Sequence, residues 1–211
     1  MSSMEMLHEL TPGVGVASPG AATHADAGGV KHDAGKTAWH LVPWDAMRCA
    51  RVAEPYADED DAFAVLVHWF TRSLDDAPHR ASLGQHLPER VALARVARTL
   101  FVALGDDLVA VRAVADVLTV GAAKYAPRNW ERGIAYSRLF SAAYRHYYAS
   151  RVDGLEADPE TGLHPLAHAA CEVLFLLAFE LRGVAALGDG SPLDDRPASL
   201  QPDAAPERGG L

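Results

Sequence analysis

Pro165-Leu-Ala-His-Ala-Ala-Cys-Glu-Val-Leu-Phe-Leu-Leu-Ala-Phe-Glu-Leu181, two residues ahead of Gly183, is the stretch that decides the fold. Proline is accepted at the first helical position, where its missing N–H costs nothing, and a glycine just past the end accepts the left-handed stop. The run between them is helical in pattern. Its longest apolar stretch, Val173 to Phe179, is far shorter than the roughly 20 residues a membrane span requires.

Working outward, helical patterns fill the middle of the chain. Phe63, Leu66, Val67, Phe70 and Leu74 fall on one helical face, predicting a helix over 62–74. Pro88-Glu89 suits a first turn for a helix that Gly105 stops, and Asp106 is placed to cap a helix from Asp107 to about Lys124. Ser137 is placed to cap another, through about Arg151. The acids Asp58-Glu59-Asp60-Asp61 cannot all face one ion from a helix and read as a solvated first turn. Period-2 strands are absent. The expectation is an all-α fold, a compact helical bundle of five to six helices with disordered termini. Its divisions are a disordered leader over 1–30, a single helical domain over 31–186 with a helical insertion at 48–110, and a disordered tail over 187–211.

Composition narrows the function. The 211 residues carry a net charge of −9, which argues against nucleic-acid polymers and anionic membranes as partners. A local cluster of Lys and Arg still permits a small anionic ligand. Cys49 and Cys171 lie far apart in helical patterns and read as free thiols. No targeting segment is visible near the start, so a cytoplasmic location is expected, the host cytoplasm if the chain is phage-encoded. The patterns for serine or cysteine nucleophiles and for dinucleotide-binding glycine loops do not occur. Apolar faces on short helices leave room for a homo-oligomer.

The polar groups gather between residues 121 and 172. Lys124 is suited to a phosphate, Asn129 to a base edge or a turn, and Tyr125 and Trp130 to stacking on a base or to anchoring the core. Arg145 and His146 are adjacent and point about 100° apart, so only one of them is expected to face a pocket, with His146 either there or at the solvent. His164, His168 and Glu172 are spaced by four along one helical face, behind a loop carrying Asp158 and Glu160. Histidines and carboxylates in such a group suggest a divalent cation, or else a buried His–Glu contact within the bundle. Lys31-His-Asp-Ala-Gly-Lys36 is a further basic cluster but not a Walker loop.

In order and spacing these blocks resemble the phage-associated dATP/dGTP diphosphohydrolase N-terminal domain family, and by analogy the all-α MazG-type nucleotide pyrophosphatases. The blocks are Lys31-x-Asp33-x-Gly35-Lys36, Gly121-Ala-x-Lys124-Tyr125-x-x-x-Asn129-Trp130-x-x-Gly133, Arg145-His146, Asp158-Pro-Glu160-Thr-Gly162 and Leu166-Ala-His168. The resemblance implies hydrolysis of a purine deoxynucleoside triphosphate to the monophosphate and pyrophosphate with a divalent metal, Mg²⁺ or Mn²⁺. It implies Glu160 and His168 as catalytic groups. Lys36, Lys124, Tyr125, Asn129, Trp130 and Arg145 are the expected nucleotide-binding residues. His146, Asp158, Glu160, His164 and His168 are the expected metal ligands. This chain has Pro165 where the family pattern carries histidine, with His164 beside it, and it lacks the paired Glu-x-x-Glu of MazG helices. The alternative is a protein that sequesters a nucleotide without turnover; a third is a helical interaction protein whose polar cluster is structural.

Overall fold

The computed structural model describes residues 35–74 and 88–198. The chain divides into two units, Met1–Lys36 and Thr37–Leu211. Of the first, only Gly35 and Lys36 are described, and the expected leader lies outside the described residues. Among the described residues the second unit holds six α-helices and no strand of a sheet, so the fold is all-α. They are α1 (Trp44–Val52), α2 (Glu59–Phe70), α3 (Glu89–Leu104), α4 (Asp107–Tyr125), α5 (Tyr136–Arg151) and α6 (Pro165–Arg182).

The central element is α6. It buries residues from Pro165 through Phe179 almost without interruption, and α1, α3, α4 and α5 pack around it. A helix apolar on every side has to be enclosed, and this one is. The expected signals set its ends: Pro165 opens the first turn and Gly183 closes it at φ 62°, a left-handed position that glycine occupies without a Cβ penalty. Asp58 accepts from Asp61 N at 2.9 Å to cap α2, while Glu59, Asp60 and Asp61 form its acidic first turn. Asp106 accepts from Leu108 N and Val109 N at 2.8 and 2.9 Å to cap α4.

Several boundaries differ from the sequence reading. For the short α1 the sequence reading gives only a helical pattern around Cys49 and no bounds. Helix α2 stops at Phe70 instead of Leu74, because Arg72 turns left-handed at φ 59° and the Thr71 hydroxyl donates to Val67 O at 2.9 Å. Ser137 does not cap α5. Its N–H and hydroxyl both donate to Asp195, at 2.8 and 2.5 Å, so the cap comes from beyond α6.

That contact also corrects the expected tail. From residue 187 to 198 the chain runs back as a packed strap. Leu193 is 1% exposed, and its carbonyl accepts from Tyr136 N at 3.1 Å at the start of α5. Gly133 makes room for the strap, since a Cβ there would lie 3.0 Å from Leu193 Cδ1 and 3.2 Å from Leu187 Cα. Arg196, 8% exposed, places its guanidinium over the Trp69 ring at 4.4 Å. It donates to Asp194 and to Trp69 O at 3.0 Å and pairs with Glu89 at 3.0 Å. Proline-rich composition hides this, because two buried side chains in twelve residues produce no periodicity.

Removing a buried guanidinium strands the carboxylates and the carbonyl it serves. Arg196→Ala is therefore expected to lower the unfolding free energy by about 3 kcal/mol, seen as a reduced urea midpoint. Arg196→Lys recovers only part of the loss, because an ammonium lacks the planar fork.

Candidate functional site

Helices α4, α5 and α6, together with the connections 126–135 and 158–161, enclose a cleft of about 680 Å³. Helical spacing supplies its walls. From α6 come His168, Cys171, Glu172 and Phe175; from α5 come Arg138, Ala142, Arg145 and His146; from α4 come Gly121, Lys124 and Tyr125. Gly121 lies within α4 and does not end it. Lys124, Tyr125, Asn129, Trp130, Arg145, His146, Asp158, Glu160 and His168 of the sequence expectation all line this cleft. Lys36 belongs to the first unit.

The loop Asp158–Gly162 is built around one carboxylate oxygen. Asp158 Oδ1 accepts from Glu160 N at 3.1 Å, Thr161 N at 2.9 Å and the Thr161 hydroxyl at 3.0 Å. His168 Nε2 stands 2.8 Å from that hydroxyl oxygen. A carboxylate only accepts, so the single hydroxyl proton lies towards Asp158, and the imidazole must donate through Nε2–H. Nδ1 of His168 is thereby left as its basic atom. The ring of His146 stacks on that of His168 at 4.6 Å and 19°, with its Nδ1 3.9 Å from Asp158 Oδ2.

Burial sets the protonation of these groups. It pushes His168 down to about 4, reinforced by His146 and opposed by Asp158 and Glu160. Burial also lowers His146, with Asp158 opposing and Arg145 adding to the effect. Burial alone would raise Asp158, but the Thr161 hydrogen bonds and the neighbouring His168 outweigh it and hold the carboxyl below its usual range. Glu172 moves the other way. Enclosed by protein and only partly open to the cleft, it is pushed up to about 7 by burial, against the pull of Arg145.

At the mouth, Lys124 pairs with Glu160, which holds the lysine charged, and also reaches the Tyr125 ring at 5.2 Å. Arg128 is committed to Glu131 at 2.7 Å. The cleft thus has four cationic side chains against three carboxylates, a formal +1 within a chain of −9.

Two expected roles are not realised. Trp130 is a core anchor: Phe175 stacks on it at 4.5 Å and the Arg182 guanidinium lies 5.0 Å from its centroid, so the ring is covered by protein. His164 is the N-cap of α6, its Nδ1 accepting from Leu166 N at 3.1 Å, and it does not line the cleft. The expected metal ligands also fail to form a cage. Glu160 is paired with Lys124, His168 is bonded to Thr161, and one oxygen of Asp158 is saturated. Among the described residues no group of three or more His, Cys, Asp or Glu is placed to hold an ion.

The sequence reading passed over two cleft residues: Thr161 sits inside the Asp158–Gly162 block, and Arg138 lies two turns before Arg145, while Glu172 was named with His164 and His168 but given no role of its own.

All the polar residues of this cleft lie within a known sequence pattern. Residues 94–187 match the family model described as dATP/dGTP diphosphohydrolase, N-terminal. The resemblance read from the sequence holds for this segment. The match starts inside α3, so residues 94–110 belong to the family pattern and not to an insertion. A dATP/dGTP diphosphohydrolase of Salmonella phage PMBT28 is 41% identical over 63 residues, 30% of this chain. The chain aligns with only 21% of that relative's length. No solved structure matches. No described helix is long and apolar enough to cross a membrane.

Two measurements check the local physics. Between pH 6.5 and about 4 the unfolded chain takes up a proton at His168 that the folded chain refuses, so stability falls on acidification across that window. In His168→Gln the loss of unfolding free energy between pH 7 and 4.5 is expected to shrink by about 2 kcal/mol. Ala126, at φ 77° and ψ 151°, occupies a region that suits glycine. Ala126→Gly is expected to raise stability by about 1 kcal/mol in urea titrations.

Proposed function

We propose that the cleft binds a purine deoxynucleoside triphosphate and hydrolyses it to the monophosphate and pyrophosphate. The observation that carries this reading is the convergence of Lys124, Arg138 and Arg145 with the Asp158–Thr161–His168 relay around one cleft in a chain of net charge −9. Cationic side chains over a triphosphate neutralise its charge and fix the α-phosphorus for attack. Water adds its oxygen to that phosphorus, the bond to the oxygen bridging the α- and β-phosphates breaks, and pyrophosphate leaves. The water's proton passes to Nδ1 of His168, whose basicity rises once phosphate oxygens lie beside it. The triphosphate competes with Glu160 for Lys124 and frees that carboxylate at the mouth. A divalent ion, Mg²⁺ by expectation, would arrive on the phosphates, since such ions need only one or two protein carboxylates.

The second reading is sequestration without turnover. It draws on the absence of a three-ligand cage among the described residues and on the Lys124–Glu160 pair.

Incubation with a panel of deoxy- and ribonucleoside triphosphates, with and without Mg²⁺ or Mn²⁺, separates the two by chromatography. Hydrolysis predicts monophosphate plus pyrophosphate, a fall of at least about a hundredfold in kcat for His168→Ala, and a raised KM for Lys124→Ala. A nucleotide that binds stoichiometrically and is recovered intact under every condition makes the chain a sequestering protein. Unbound, unchanged nucleotides throughout overturn both readings.

A further inference from the structure

Glu172 is the one carboxylate lining the cleft that neither the loop nor the relay uses. It stands one helical turn beyond His168, between Cys171 and the Phe175 turn, and Leu139 and Ala142 of α5 line the same cleft. Among the described residues its carboxyl has no hydrogen-bond partner; Arg145 acts on it only through space. Half-buried in the cleft wall, this acceptor has donors only from solvent until a ligand supplies them. In a deoxynucleoside triphosphate the phosphates carry no donor at neutral pH, so the donors are the base N–H groups and the 3′-hydroxyl.

From this geometry we infer that Glu172 is the specificity-determining residue of the cleft, reading the Watson–Crick edge of the purine and selecting guanine. The inference rests on the nucleotide reading of the cleft given above. Guanine offers two parallel donors, N1–H and N2–H, that match the two oxygens of a carboxylate as a guanidinium does. Adenine offers one donor, at N6, beside an acceptor at N1, and it repels a carboxylate there. A protonated carboxyl reverses the match, donating to adenine N1 and accepting from N6–H. Burial places Glu172 at about 7, so both forms exist near neutrality. The groups around the cleft that bear on this titration are Arg138, Arg145 and His146 from α5, Lys124 from α4, Arg128 from the α4–α5 connection, Asp158 and Glu160 from the loop, and His168 from α6.

The test is equilibrium binding of the α,β-methylene analogues of dGTP, dATP and dCTP, which cannot be cleaved at that bond, to the full chain and to Glu172→Gln. The wild type at pH 8 is expected to prefer the guanine analogue over the adenine analogue by at least about tenfold. That preference declines at pH 6. Glutamine presents one donor and one acceptor, so Glu172→Gln is expected to lose at least about tenfold for guanine, to hold or gain for adenine, and to show no pH dependence in the ratio. The variant removes a carboxyl that burial disfavours in its charged form, and an unchanged thermal melt shows that it folds. An unaltered guanine-to-adenine ratio in Glu172→Gln overturns this inference alone. Equal weakening for all three bases, the mark of a contact to the sugar, overturns it as well. Absence of binding of every analogue to the wild type overturns it together with the nucleotide reading.

Discussion

The enclosure of α6 is the constraint on which the rest depends. A helix with apolar side chains on every face has no solvent side, and its neighbours have to complete a shell around it. Helices α1, α3, α4 and α5 do so, and the strap over 187–198 closes the end near Tyr136. His168 and Glu172 are the polar residues of this helix that line the cleft, so the site is a gap left in the shell. Both imidazole and carboxyl are held in low-dielectric surroundings by the same packing that stabilises the domain, and both shift towards their neutral forms.

Anchoring and function are divided along single blocks of sequence. In the stretch from Lys124 to Trp130, the lysine and Tyr125 remain at the mouth while Trp130 is spent on Phe175 and Phe179. The tryptophan pins the connection from α4 to α5 against α6 and thereby fixes the distance across the cleft. Arg182 joins this anchor, stacking near Trp130 and bonding Asp45 at 2.7 Å and Glu131 at 3.0 Å. Arg128 is drawn into the same network through Glu131, whereas Arg138 and Arg145 have no carboxylate at ion-pair distance among the described residues and are exposed at the cleft. A ligand with several negative charges therefore meets side chains whose charge is not already spent.

The relay through Thr161 shows how little covalent distance the site needs. Asp158 folds the loop onto itself, the loop aims the Thr161 oxygen, and that oxygen fixes which nitrogen of His168 carries the proton. Among the described residues the carboxylates and imidazoles of the same block are engaged with one another or with neighbours. Asp158 is held within the loop, His164 at a helix cap and Glu160 with Lys124.

Much was legible in the chain itself. The ends of α3 at Leu104 and of α6 at Arg182 follow from Gly105 and Gly183, the α4 start follows from Asp106, and the acidic turn of α2 is the one its composition describes. Local rules set those features, because caps and periodicity act within a few residues. The clustering of Lys124, Arg145, His146, Asp158, Glu160 and His168 was also visible, since they fall close together in sequence. Tertiary structure decided the rest. It alone shows that Asp195 and Arg196 complete α2 and α5 from more than fifty residues away, that Trp130 is covered and His164 is a cap, and that Glu172 stands unpaired in the cleft. Those outcomes depend on which surfaces meet and which polar atoms find a partner, and neither is encoded in any single helix.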